Sequence, residues 1–148
     1  MNTQEIKKIQ TAIKILDSHL KTKGDAYTNV HKVKTFLRLH LETLEHEVFS
    51  IMFLDNKHKL IEFQKMFRGT IDGATVHTRE IIKEALKLNA AALIISHNHL
   101  SGDPFPSLSD KHITQRIKDT LELVDMRLLD HIIVGANQTL SFSEQGMM

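Results

Sequence analysis

His97 and His99 flank a single residue, and Asp110 follows eleven positions after the second histidine. In extended backbone, residues i and i+2 point to the same side, so two imidazoles at this spacing can converge on one point. Zinc takes imidazole nitrogens at about 2.0–2.1 Å and carboxylate oxygens at a similar distance. Asp110 stands near the start of an expected helix. Counting back from Ile113, Ile117 and Leu121 places it on the inward face. The helix N-terminus stabilises its carboxylate there. Two neutral imidazoles and one carboxylate would leave a zinc ion a fourth position for water, whose pKa falls to about 7 on the metal. Such chemistry also needs a base outside the ligand set and a donor for the developing oxyanion. Glu47, at the start of the first expected strand, is the candidate base. Ser107 is the candidate donor.

Blander readings compete at several of these positions. Ser107-Leu108-Ser109-Asp110 also reads as a helix capping box, and capping alone would leave zinc with two protein ligands. Glu47 could be an ordinary acid before a strand, and Glu45 lies two residues away. His131 reads as a packed or hydrogen-bonded core histidine, with a supporting role behind a ligand as the sharper alternative. His77 could serve only to shape the loop before its helix. Asp103, in Gly-Asp-Pro, reads as a turn residue. His112 follows Asp110 by two on a helix and so points elsewhere. His19, His31, His40, His46 and His58 carry no signal. The letters His97-Asn98-His99 are not the nuclease motif of that name, whose residues lie far apart in sequence.

The elements around these residues follow from periodicity. Ile6, Ile9, Ile13, Leu16 and Leu20 predict an amphipathic helix ended by Lys23-Gly24-Asp25. Its narrow stripe could dock on the domain or pair with a second copy, so a dimer stays open. Thr28 or Asn29 caps a second helix with the stripe Val30, Val33, Leu37, Leu41 and Leu44. Glu47–Leu54 and Lys59–Phe67 predict an antiparallel hairpin about the turn Asp55-Asn56-Lys57. A loop over Arg68–Gly73 and a short strand over Ala74–His77 come next. Thr78 is expected to cap a third helix. The apolar run Ala90–Ser96 predicts a strand buried on both faces. His97–Pro106 reads as a polar loop, followed by a helix over roughly Ser109–Asp125. Leu128–Val134 and Thr139–Phe142 predict two last strands. The order is that of an α/β domain with a mixed central β-sheet flanked by helices. Residues 1–27 are expected to form an N-terminal helical extension, and residues 28–148 the domain proper.

Composition narrows the class. The 148 residues suit one domain, with 41% hydrophobic and 25% charged residues. With no cysteine, a metal must rest on His, Asp or Glu. The longest apolar run is too short to span a bilayer, and the N-terminus lacks a signal-type segment. The expectation is a cytoplasmic protein with no membrane partner. A formal net charge of +1 argues against a dedicated nucleic-acid binder. Lys7, Lys8, Lys14, Lys21 and Lys23 read as a solvated helix face.

His97-x-His99, seven residues, Ser107, two residues, Asp110 resembles the motif of the JAMM (MPN/JAB) metallopeptidases, whose upstream Glu precedes a hydrophobic strand as Glu47 does. The chain is most similar to the RadC branch of that superfamily. The resemblance lies in Glu47-Val48-Phe49, Phe53-Leu54-Asp55-Asn56, Phe67-Arg68-Gly69-Thr70-Ile71, Val76-His77-Thr78-Arg79-Glu80, His97-Asn98-His99 with Ser101-Gly102, and Leu129 to Gly135. It runs from about Thr28 to the C-terminus. It implies a deaminase-like JAB/MPN fold with zinc on His97, His99 and Asp110, Glu47 activating water and Ser107 steadying the intermediate. Two positions depart: Leu100 and Thr78 stand where RadC-like chains commonly have Pro. Longer RadC proteins also carry a helix-hairpin-helix region, and here one basic helix precedes Gly24.

Three functions follow from this reading. The leading expectation is a zinc-dependent hydrolase cleaving a peptide or isopeptide bond in a peptide or protein substrate. The second is a DNA-repair or other nucleic-acid-associated factor, against which the near-neutral charge counts. The third is a non-catalytic scaffold with a structural metal, against which Glu47 counts.

Overall fold

A computed structural model of the chain describes residues 1–71 and 75–148. The first two helices, α1 (Thr3–Thr22) and α2 (Val30–Leu41), precede the hairpin of β1 (Val48–Leu54) and β2 (Leu60–Arg68). Then come α3 (Thr78–Lys87), β3 (Ala92–Asn98), α4 (Leu108–Leu123), β4 (Arg127–Val134) and β5 (Thr139–Ser141). The strands form one mixed sheet in the order β2-β1-β3-β4-β5. Only β3 and β4 run parallel, joined by the crossover helix α4. This is the α/β architecture expected, with helices on both faces.

Each face of the sheet has its own apolar core. Val48, Met52, Leu54, Ala92, Ile94 and Ile132 pack with Val33, Phe36, Leu37 and Leu41 of α2 and with Leu20 of α1. Phe49, Ile51, Phe53, Leu93 and Ile95 pack with Ile81 and Ala85 of α3 and Ile113, Ile117 and Leu121 of α4. The split follows strand alternation: even positions of β1 and β3 face α1 and α2, odd positions face α3 and α4. All seven residues of β3 are buried, as a central strand covered on both sides requires. Leu20 is fully buried, so α1 contributes to the same core as α2.

Side chains cap the helices at both ends of this layer. Asn2 and Glu5 form a reciprocal capping box on α1, and Asn29 accepts the Lys32 N–H at the start of α2. The turn between them lies against the β1–β2 hairpin. A Cβ on Gly24 would stand 2.0 Å from the Lys57 carbonyl oxygen, so only glycine fits there.

Several boundaries differ from expectation, and α2 ends at Leu41, before Leu44. Strand β3 runs through His97 and Asn98, because pairing with β1 and β4 continues to its end. Thr78 is the first residue of α3 rather than its cap. His77 holds the cap position without a side-chain hydrogen bond, while Thr78 turns into the interior, where its hydroxyl has no partner among the described residues. The loop expected over Arg68–Gly73 and the strand over Ala74–His77 fall partly on 72–74, which lie outside the described residues. Thr75–His77 form a turn and irregular backbone, not a strand.

His40 makes this fold pH-sensitive. Its ring lies between α2 and β2, 4.7 Å from the Phe36 ring and 4.4 Å from that of Phe63. Burial, reinforced by Lys65 and opposed by Asp17, pulls its pKa down to about 4. The unfolded chain therefore takes up this proton first. The contribution to stability is complete above about pH 6.5 and is lost as the pH falls toward 4. Urea unfolding of His40→Leu should show a shallower loss of stability than wild type between those values. Equal slopes would contradict this account.

Candidate metal centre

The site forms where β3 ends. His97 is the last inward-facing residue of the strand and is fully buried. His99 lies one residue beyond the strand, anchored by its N–H to the Val134 carbonyl at 2.9 Å. Their Nε2 atoms stand 3.0 Å apart, as the i, i+2 argument anticipates. Asp110 reaches them from the first turn of α4. Its Oδ2 lies 3.0 Å from His99 Nε2 and its Oδ1 3.2 Å from His97 Nε2. The His-His-Asp group is the one cluster of its kind among the described residues.

These distances can be tested against a metal. Tetrahedral zinc with bonds of about 2.0–2.1 Å separates neighbouring ligand atoms by about 3.3 Å. The two imidazole nitrogens lie 3.0 Å apart, and each stands 3.0–3.2 Å from one oxygen of the Asp110 carboxylate, close to that spacing. His99 Nδ1 lies 2.8 Å from the Asp103 carbonyl, which can only accept, so Nδ1 carries the proton and donates. In its neutral form His99 therefore turns a lone pair toward Asp110 and His97. The residues present fit a divalent cation.

The capping reading of Asp110 holds, and the same carboxylate faces both imidazoles. Ser107 Oγ accepts the Asp110 N–H at 3.0 Å, and Asp110 Oδ2 accepts the Ser107 N–H at 2.8 Å. The box fixes the carboxylate rotamer while leaving both oxygens facing the imidazoles. Burial opposes ionisation of Asp110. In their protonated forms the two imidazoles, with the Ser107 amide, outweigh it and hold the carboxyl far below the usual carboxylate range. Hydrogen bonding to Asp110 raises the His99 pKa against its own burial.

Glu47 reaches the same place through strand register. Phe49 pairs with His97 across the antiparallel β1–β3 ladder, so the position opposite His99 is that of Glu47. A cleft of about 370 Å³ opens there, lined by Glu47, Ile71, Phe105 and Ser107 around the three cluster residues. Asp103 is a turn residue, as expected: its carboxylate accepts the Phe105 N–H, and its carbonyl orients His99. His112 is exposed on the far side of α4. A separate cavity of about 310 Å³ beside α2 and β4 includes Asp130, whose carboxylate accepts from the Ser141 hydroxyl and from the backbone N–H groups of His131 and Ser143.

Two polar residues do more than their letters reveal. Asn98 Oδ1 accepts the Val48 N–H at 2.8 Å, and its Nδ2 donates to the His46 carbonyl at 3.0 Å. It thus clamps the backbone on both sides of Glu47. His131, buried in β4, sits 2.8 Å from His97 Nδ1 through its Nε2. Burial pushes its pKa well below the ordinary histidine value. The loop after His99 rests on Gly135: a Cβ there would meet the Gly102 carbonyl oxygen at 2.4 Å and Pro104 Cδ at 2.9 Å.

A mixed α/β sheet carries a His-His-Asp cluster at the end of its central strand, and these three residues could hold a metal ion. The model of the RadC-like JAB domain matches residues 27–147, and the chain belongs to that family. It is 49% identical over 140 residues to a UPF0758 protein of Vibrio cholerae serotype O1, covering 95% of this chain and 87% of that one. It is 47% identical over 148 residues to the UPF0758 protein YkfG of Escherichia coli K12, covering 100% of this chain and 94% of that one. A longer UPF0758 protein of Nitrosococcus oceani is 52% identical over 126 residues, 85% of this chain and 56% of its own length. No helix among the described residues is long and apolar enough to cross a membrane.

Asn98→Ala should free the Val48 amide and loosen Glu47 without touching a cluster residue. The expected cost is about 1–3 kcal/mol for the buried groups left unpaired. Val48 amide exchange should accelerate in this variant relative to the other β1 amides. Unchanged exchange at Val48 would show that the clamp does not hold this segment. Gly135→Ala should weaken metal binding by displacing the loop that carries His99, read by zinc titration against wild type.

Proposed function

We propose that the protein is a zinc-dependent hydrolase that cleaves a peptide or isopeptide bond. The observation that carries this reading is one cleft holding three convergent ligand atoms together with Glu47 and Ser107. His97, His99 and Asp110 would hold the metal. Bound there, zinc supplies a Lewis acid and lowers the pKa of a coordinated water.

The remaining work falls to this chain's own groups. Glu47, beside His99 and outside the ligand set, takes the proton from the attacking water. It then returns that proton to the leaving amine. Ser107 Oγ accepts the Asp110 N–H, which leaves its own O–H free to donate to the developing oxyanion. Phe105, 60% exposed at the rim, offers an apolar face to a substrate side chain. Membership in the RadC-like JAB family supports the hydrolase class.

A Glu47→Gln variant keeps the shape and hydrogen-bonding reach of the side chain but cannot take a proton. It should bind zinc like wild type and lose about 10²–10⁴-fold in turnover against a library of fluorogenic peptide and isopeptide substrates. Ser107→Ala should lose about 10²-fold and some helix stability with it. Wild-type turnover in Glu47→Gln would remove the proposed mechanism.

A further inference from the structure

Behind His97 runs a chain of hydrogen bonds whose direction is fixed at its far end. Thr114 Oγ1 lies 2.7 Å from the Asp110 carbonyl oxygen. A carbonyl can only accept, so the hydroxyl proton is committed to it. The same Oγ1 lies 2.6 Å from His131 Nδ1, and with its proton spent it must accept there. His131 Nδ1 therefore carries a proton. The ring is fully buried, packed against Phe142 at 4.6 Å and Phe49 at 5.8 Å. Its two ring nitrogens face one partner each, Thr114 at Nδ1 and His97 at Nε2, so a single ring proton at Nδ1 satisfies both contacts. Neutral His131 then presents a lone pair at Nε2, 2.8 Å from His97 Nδ1. His97 must donate from Nδ1, and its own lone pair is left at Nε2, facing His99 and Asp110.

We propose that Thr114 and His131 are positioning residues that lock His97 into the tautomer whose Nε2 is free to bind a metal. The proposal rests on the metal reading above, and it extends that reading from the three cluster residues to two groups that touch no metal. It also ties the two ends of the site together. Thr114 is bonded to the backbone of Asp110, so the residue that directs His97 is anchored on the third ligand. Supporting partners of this kind fix ring orientation, and their removal costs about 10–100-fold in metal affinity.

Without the Thr114 hydroxyl, His131 loses the acceptor that defines its tautomer. A proton on His131 Nε2 would then force His97 to accept at Nδ1 and carry its proton on Nε2, where the metal binds. Thr114→Val, nearly the same in shape, makes that change without altering any ligand.

The experiment is histidine side-chain ¹H–¹⁵N NMR of the full metal-free chain, with zinc titration of the same samples. Wild-type His97 and His131 should both appear as neutral rings protonated on Nδ1. Thr114→Val should shift the tautomer signals of both rings and weaken zinc binding by about 10–100-fold. Thr114→Ser should restore both. His131→Gln, whose side-chain oxygen can still accept from His97, should bind zinc more tightly than His131→Leu. A wild-type His97 protonated on Nε2 would overturn the proposal. So would a folded Thr114→Val with unchanged signals and unchanged affinity. If wild type took up no zinc, the metal reading would fall, and the NMR signals alone would still decide whether the relay sets the tautomer.

Discussion

The antiparallel pairing of Phe49 with His97 is the constraint on which the site depends. A strand register is fixed in whole residues, and a slip of one would turn every side chain to the opposite face. Here the register is held by two apolar cores. Phe49, Ile51 and Phe53 must face α3 and α4 while Val48, Met52 and Leu54 face α2. That requirement, made of nothing but hydrophobic burial, sets His97 inward and brings Glu47 level with His99. Asn98 then occupies the place where the ladder would continue, and its side-chain amide bonds the backbone on either side of Glu47.

The crossover to α4 completes the cluster. In α/β domains sites gather beyond the carboxyl ends of the strands, where loops and helix N-termini converge. In this chain the first turn of α4 supplies Asp110, and the capping box aims it. One carboxylate thereby accepts the Ser107 N–H and faces two imidazoles. The local economy is possible because a carboxylate has two oxygens, and each can accept more than one contact. Around this polar group the walls are apolar: the Phe49 ring lies 6.0 Å from that of His97, and Phe142 stacks on His131. Such walls make every polar group inside depend on its partner.

Much of this was legible in the sequence because it depends on period and spacing. The alternation of β1, the continuous apolar run of β3 and the helical stripe ending at Leu121 each announce an element. The convergence of His97, His99 and Asp110 follows from the i, i+2 rule and the inward face of α4. What stayed hidden depends on pairing across the sheet. Asn98 looks like a spacer until β1 is laid beside β3. His131 looks like a core residue until Thr114 is seen on the neighbouring helix. Thr78 looked like a cap by residue type, yet tertiary packing drew its side chain inward and left His77 at the boundary.

The central claim is that His97, His99 and Asp110 form one three-ligand zinc site. Zinc K-edge X-ray absorption of the zinc-loaded full chain tests it most directly, because the method reads the ligands themselves. The account predicts a four-coordinate shell of nitrogen and oxygen at about 2.0–2.1 Å, with the outer-shell signature of two imidazoles. A six-coordinate, oxygen-only shell, or a spectrum unchanged by Asp110→Ala, would contradict it.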